Sequence, residues 1–521
     1  MIDPVSKLLI FIKDFTGRGA DCFYWFIHDR LVETNPAEII AYPGPVVCHD
    51  FWMIRDLLYD RTGDLPAVVL DIDELRISIG GNPDDRLNRE KNDISAHLGP
   101  CGASEEVCSA YKRMFNRGIP FDAEIATKAA GAIAKLYLRL CAQAAATHET
   151  ERFFSVEMPV YRLLQKAMSA GITINAANLS AKRREAEHDY FYCLKNYSAK
   201  HDMPLESPSR TSIERKLYAL GFEFEGVSTR YVLEFVPHPD DFGGDTLALQ
   251  EFDAAKRVLS SLTLAGGLTR PIVDIFGSRT SRIVLRNPPL QNMSKKYRPI
   301  VCAREGAELS YVDFDQFEVG IMAALSGDHH LAALYAAGDM YDLFAGRHLG
   351  LTGNRKAAKQ LFLSYAYGMS RKALVDAAVE LGAERDKAKD AFRIFARYEE
   401  WKKEVCAEFQ RTGRIATAMG NHYARKNSGA LTGKERRSAV SQVVQGTGSL
   451  IFKKALLEAG SIQDVVILLP MHDALLFEHR LADTPSKVIA AFERVMTETL
   501  GNRVAGKASV GNFAPGRLTV A

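Results

Sequence analysis

Residues 465–479 read VVILLPMHDALLFEH. Apolar residues run into Pro470, a polar pair follows Met471, and a second apolar run begins at Ala474. Two short apolar runs joined through a polar pair predict a hairpin with His472 and Asp473 at its turn. Such a hairpin needs a core around it. A chain of 521 residues is long enough for several domains, each with its own core.

A second apolar strand also leads to carboxylates. In ELSYVDFDQFEVGIMAALSGD a strand-like run reaches Asp313 and then enters a helix. An apolar strand that ends in carboxylates presents them from a rigid support. Phosphoryl transfer to a hydroxyl needs two close cations, one at the attacking oxygen and one at the phosphates and leaving group. Magnesium favours carboxylate oxygens. Asp313 and Asp473 are therefore candidates to share such a pair. Taken singly, each also fits a surface, turn or capping role.

In NRKAAKQLFLSYAYG, Arg355 and Lys359 stand four apart, neighbours on one helix face. Tyr367 lies about 120° further round the helix, so the basic pair and the tyrosine line a broad face. The basic end suits a triphosphate and the aromatic end a base. A solvated charged helix with a core tyrosine is the plainer alternative. RTSRIVLRNPPLQNMSKKYR carries six basic residues and no acid, suited to a nucleic-acid backbone. Pro288 and Pro289 put Gln291 and Asn292 on an irregular support. A basic surface loop would look the same.

Around these motifs the chain divides in two. The first 150 residues mix short strands with helices, as in a compact α/β domain. Here AVVLDIDELRISIG predicts two short strands or a strand and turn, AEIATKAAGAIAKLYLRLCAQAAA a long helix, and 80–93 a loop. From about 156 to 270 the pattern is helical, and SPSRTSIERKLYALG predicts a cap at Thr211 with Glu214 completing a capping box. The formal charge of +2, from 66 basic and 64 acidic residues, neither demands nor excludes a polyanion. Eight scattered cysteines without a CxxC pair argue against a zinc knuckle and for reduced thiols. No eighteen-residue apolar run or convincing signal peptide is present, so a soluble intracellular protein without membrane contact is expected.

Taken together and in this order, the motifs resemble the family A DNA polymerases, of the bacterial DNA polymerase I and phage replicative type. DFDQFE is similar to that family's first catalytic motif, through Asp313, Gln316 and Glu318. RKAAKQLFLSYAYG resembles its nucleotide-binding helix, through Arg355, Lys359, Tyr367 and Gly368. MHDA resembles the second catalytic motif, through His472 and Asp473. TSRIVLRNPPLQN resembles the primer–template segment, and RRSAVSQVVQGT the helix that carries Arg437 and Gln445 towards the template. The resemblance begins at VEMPVYRLLQKAMSAGITI and covers about 156–521.

It implies an α/β multidomain fold. A right-hand polymerase of palm, fingers and thumb would occupy 151–521, with the thumb at about 180–270. The palm would take about 271–335 and 430–521, and the fingers about 336–429. It implies template-directed DNA synthesis by a monomer, using primer–template DNA and deoxynucleoside triphosphates. Asp313 and Asp473 would hold two Mg2+ ions, with Mn2+ as a substitute. Gln316, Glu318, Tyr341, Arg355, Lys359, Leu363 and Tyr367 would bind the nucleotide, with Glu318 blocking a ribose 2′-hydroxyl. Arg282, Gln291, Asn292, Arg437, Gln445 and His472 would position the DNA. The setting implied is the cytoplasm of a bacterial cell or phage-infected host. A catalytically silent DNA-binding or scaffold protein with this fold is the alternative.

Some positions depart from the pattern. Leu363 stands where an aromatic residue is usual, Ala474 where glutamate is usual, and Gly320 where arginine is usual. Asp315 could point the same way as Asp313 and compensate in part. Residues 1–150 take the place of a ribonuclease-H-like 3′–5′ exonuclease-type domain. VVCHDFWMIRDLL and FDAEIAT resemble two of its segments, through Asp50 and Asp122. No Asp-x-Glu strand precedes His49, and Asp71 and Asp73 follow it out of order. A degenerate, inactive domain kept for packing or DNA contact is expected.

Overall fold

The computed structural model describes residues 7–14, 16, 21–81, 84–85, 93–222, 229–235 and 238–514. Of the loop expected at 80–93, residues 82–83 and 86–92 lie outside the described residues. The chain forms two compact units. One comprises the residues up to Ala170, Val273–Val284 and Ser310–Val510; the other comprises Gly171–Ile272, Leu285–Leu309 and the residues from Gly511 on.

The first unit opens with a five-stranded sheet of β1 Lys7–Ile12, β2 Cys22–Ile27, β3 Arg30–Thr34, β4 Val46–Cys48 and β5 Val69–Asp71. Its order is β3-β2-β1-β4-β5; β1 to β3 run antiparallel in turn, and β4 and β5 run parallel to β1. Every residue from Leu8 to Ile12 is buried, which an unbroken apolar run at the centre of a sheet requires. The alanine-rich helix Ala123–Ala146 packs on β1, β2 and β3, burying Ala126, Ala130, Ile133 and Leu140. It starts at Asp122, whose carboxylate accepts from the Glu124 and Ile125 N–H groups.

AVVLDIDELRISIG is not a pair of strands. Its first part forms β5, and Ile72–Gly80 is a helix. Asp71 caps that helix by accepting from the Asp73 and Glu74 N–H groups. Ile72, Leu75 and Ile79 then recur at helical spacing and are buried.

The second large sheet runs Val466–Met471, Ala474–His479, Glu308–Phe314, Ala508–Val510 in spatial order. The first two strands form the expected hairpin. Met471 pairs with Ala474, so His472 and Asp473 alone make the turn, with His472 at φ 63°. At the end of Glu308–Phe314 the chain passes through Gln316, also left-handed at φ 51°, into the helix Phe317–Ser326. Phe314 stacks on Phe317 with ring centroids 4.2 Å apart and meets Phe492 at 4.7 Å. That aromatic packing fixes the strand end from which Asp313 projects. The helix Arg355–Ala366 and the 29-residue helix Gly433–Ser461 complete the frame of the site. Thr432 and Glu435 close a capping box at the start of the longer one.

In the second unit the helices Ala176–His201 and Phe242–Ser261 pack together, around a core that includes Tyr190, Leu194, Tyr197, Leu217 and Phe242. The helix Arg210–Ala219 is capped by Ser209, which accepts from the Ser212 N–H, not by Thr211. Glu214 instead accepts from Arg210 and Thr229. Ser209 and Thr211 are both competent caps, and the sequence did not separate them.

Candidate active site

Asp313 lies on Glu308–Phe314, and Asp473 lies in the turn that opens the neighbouring strand Ala474–His479. Sheet pairing thus brings together two residues far apart in sequence. Burial, then the charges of Asp473 and Asp315, push the Asp313 carboxyl up to about 7. Burial also raises Asp473, against the opposing charges of Arg282 and His472. Asp313 Oδ1 is buried with no hydrogen-bond donor among the described residues. A buried acceptor left so costs about 1–3 kcal/mol. A hard divalent cation would satisfy that oxygen and reverse both shifts. The carboxylate pair therefore fits magnesium.

Asp315 does not extend the strand. Its N–H donates to the Lys507 carbonyl, and its Oδ1 accepts from Ser509 Oγ at 2.8 Å. Ser509 is itself the register partner of Asp313. Paired residues share a sheet face, so this bond holds the Asp315 carboxylate on the Asp313 side with one oxygen engaged, and its charge acts on Asp313. Ala474, the first residue of its strand, is buried and offers no oxygen from its side chain.

Arg355 and Lys359 leave the nucleotide-binding candidate helix on one side and both approach the buried Tyr341 ring, at 5.5 and 5.7 Å. Asp339 Oδ2 accepts from Arg355 Nε at 2.8 Å and Nη2 at 2.6 Å. Asp339 carries no signature of its own in the sequence. Its place two residues before Tyr341 was the available clue. Gln316 is held by backbone: its Nε2 donates to the Gly338 carbonyl at 2.9 Å and its Oε1 accepts from the Met340 N–H at 2.6 Å. Leu363 is half-buried, midway between Lys359 and Tyr367 on the same helix.

Glu318 joins three candidates. One oxygen accepts from Arg282 at 2.6 Å and Gln445 at 3.2 Å; the other accepts from the Tyr367 hydroxyl at 2.6 Å. Burial first, then the Glu318 charge, holds that hydroxyl far above its usual range. Arg282, Tyr367, Arg437 and Gln445 line a cavity of about 620 Å³ together with Arg279, the first residue of the basic stretch, and with Lys434 and Tyr423, which motif spacing did not single out. His472 is exposed at its turn.

Gln291 and Asn292 belong to the second unit. Gln291 is buried, and its Oε1 accepts from the Leu285 N–H at 3.0 Å; Asn292 is exposed. In the same basic stretch Lys296 pairs with Glu185 at 2.7 Å and Asp189 at 2.8 Å.

Residues 1–150 hold a polar group of their own. Ligand atoms of His49, Asp50 and Asp73 come within 4.8 Å of one another. His49 also meets the Tyr111 hydroxyl at 2.7 Å. Asp71 accepts from the Phe51, Asp73 and Glu74 N–H groups and from the Tyr161 hydroxyl, so its lone pairs are taken. β1, KLLIFI, has no carboxylate, and Asp122 is spent on its helix cap.

The description DNA polymerase family A matches residues 257–511. The DNA polymerase I of Mycobacterium tuberculosis is 25% identical over 395 residues, 67% of this chain and 43% of that protein. The thermostable DNA polymerase I of Thermus thermophilus is 25% identical over 381 residues, 66% of this chain and 45% of its own. DNA polymerase theta of Caenorhabditis elegans is 32% identical over 220 residues, 38% of this chain and 13% of its own. The chain thus spans less than half the length of these curated relatives. The solved POL domain of Pol1 from M. smegmatis, in complex with DNA primer-template and dNTP, shares the fold: TM-score 0.72, 20% identity, 97% of this chain and 94% of that one. The class is therefore a multidomain α/β protein with the fold of a DNA polymerase domain. The similarity to DNA polymerase family A runs through residues 257–511. No helix among the described residues is long and apolar enough to cross a membrane.

Proposed function

We propose that the chain is a DNA-directed DNA polymerase, a nucleotidyltransferase that extends a primer 3′-hydroxyl with deoxynucleotides and releases pyrophosphate. The observation that carries this is the buried, partnerless Asp313 oxygen beside Asp473, with the charge of Lys359 acting on the same carboxyl. Asp313 and Asp473 would hold two magnesium ions, or manganese in their place. When bound, such a pair activates the attacking oxygen and neutralises the leaving phosphates. Arg355 and Lys359 would bind the triphosphate as a planar fork and a compact charge, with Tyr341 beneath them. Gln316 would hold the 338–340 segment in place. Glu318, fixed by Tyr367 and Arg282, would fill the space of a ribose 2′-hydroxyl. Leu363 would meet the incoming sugar and base.

Arg282, Arg437 and Gln445 line the basic cavity suited to a template–primer duplex, and His472 would contact the primer end. Gln291 would support the backbone at Leu285, and Asn292 would contact DNA. The M. smegmatis relative was solved with the same two partners. The protein would act as a monomer, in the cytoplasm of a bacterial cell or infected host.

The β3-β2-β1-β4-β5 sheet supports a ribonuclease-H-like, exonuclease-type first domain. With no carboxylate on β1 and with Asp71 and Asp122 committed to caps, that domain would lack proofreading. Primer extension with magnesium tests the main reading. Asp313→Ala and Asp473→Ala are each expected to slow it on the order of 10³-fold or more. No extension by the wild-type chain would replace it with the silent DNA-binding scaffold, and undiminished extension by either variant would remove the two carboxylates from the mechanism. Incubation with a mismatched primer should leave that primer its original length.

A further inference from the structure

The hairpin Arg414–Thr417 and Gly420–Ala424 carries Tyr423 into the wall of the basic cavity. Its footing is in the first domain. Glu149 follows the alanine-rich helix and donates its N–H to the Ala144 carbonyl. Its side chain is fully buried. Glu149 Oε1 accepts from His422 Nδ1 at 2.9 Å and from the His422 N–H at 3.3 Å. Oε2 accepts from Arg152 Nε at 2.9 Å. Arg152 also pairs with Glu157 and donates to Ser78 Oγ at 2.9 Å. Lys453, on the long helix, completes the group by donating to Glu157 at 2.6 Å. The Ala424 N–H donates to the Gly81 carbonyl at 3.0 Å.

On its other side the hairpin meets the cavity directly. Asn421 Oδ1 accepts from Ser281 Oγ at 2.7 Å, and its carbonyl accepts from Gln442 Nε2 at 2.5 Å. Gln442 lines the cavity, and Ser281 sits between its lining residues Thr280 and Arg282. One three-residue stretch, 421–423, thus bonds the cavity, bonds the first domain, and places a ring in the wall.

We propose that the first domain serves as the buttress of the DNA-binding cavity, with Glu149 as the positioning residue that sets the hairpin against it. A buried, charge-balanced group adds little net stability but defines one geometry. That suits a wall whose task is to hold Tyr423 and the Thr280–Arg282 segment in register for a template strand. This rests on the DNA-synthesis reading above.

The test compares equilibrium binding of a fluorescent primer–template duplex with steady-state extension, for wild type, Glu149→Gln and Gly420→Ala. A Cβ at Gly420 would lie 2.5 Å from the Glu149 carboxylate, on a backbone at φ +91°. That change pushes the hairpin off its footing and leaves every charge in place. Both variants are expected to raise the duplex Kd about tenfold. At saturating duplex, KM for the nucleotide should stay within about twofold of wild type. An unchanged Kd in both variants, or equal losses in Kd and nucleotide KM, overturns the proposal. If Glu149→Gln does not fold, Gly420→Ala decides alone. Wild type that neither binds nor extends the duplex sinks the polymerase reading instead.

Discussion

Glu318 spends two oxygens on three donors, Arg282, Gln445 and Tyr367. Truncation would release a basic group, an amide and a ring at once and open space beside the sugar. Glu318→Ala is expected to cut discrimination between deoxy- and ribonucleotides on the order of 10²-fold, measured as the ratio of their kcat/KM values. Leu363 sits four residues before Tyr367 on the same helix and offers no flat face. Restoring an aromatic ring there adds roughly 1 kcal/mol of stacking. The Leu363→Phe variant should therefore misincorporate roughly fivefold less, as scored by single-nucleotide insertion opposite a mismatched template base. Equal error rates would show that the position does not monitor the base pair.

The elements show how much of the site the residues announced. The His472–Asp473 hairpin, the strand ending at Asp313 and the Arg355–Tyr367 helix were legible because apolar periodicity and polar interruptions are local. Asp339, Lys434 and Tyr423 were not, since their roles arise only when distant elements meet. Asp315 reads as a reserve ligand, and Ser509, far along the chain, takes one of its oxygens. Asp71 misled in the other direction, since a carboxylate after an apolar run serves a cap as readily as a turn.

Asp71 also gives a pH test. Burial, then the charge of Asp73, raises its carboxyl to about 7 in the folded chain, against about 3.9 when unfolded. The folded state holds the extra proton between those values. Asp71 therefore penalises folding progressively as pH rises through that window, and not at all below it. Asp71→Asn keeps the cap through its amide oxygen but puts an NH2 where Oδ2 accepts from the Phe51 N–H and the Tyr161 hydroxyl, so it should lower Tm at acid pH, yet flatten the fall between about pH 4 and 7. Thermal melts across that range would show it.

At the scale of the molecule, residues up to Glu149 are bonded to the rest of their compact unit through buried charge. Glu149, Arg152, Glu157 and Lys453 each have side chains at most 2% exposed. A chain beginning at Thr150 would leave His422 and part of Arg152 without their partner. Breaking such a group costs about 3–5 kcal/mol, so the shortened chain should unfold at a clearly lower urea midpoint than the full one. An identical midpoint would mean that the two parts are independent modules.

The two-residue turn at His472 and Asp473 has a consequence for how this protein can vary over time. Side chains alternate between sheet faces, so one residue added there must be absorbed by a longer loop or by a bulge like the irregularity between Ile467 and Leu469, or every following side chain changes face. Lineages descending from this chain can exchange amino acids around position 473 more readily than they can change the length of the loop that bears it.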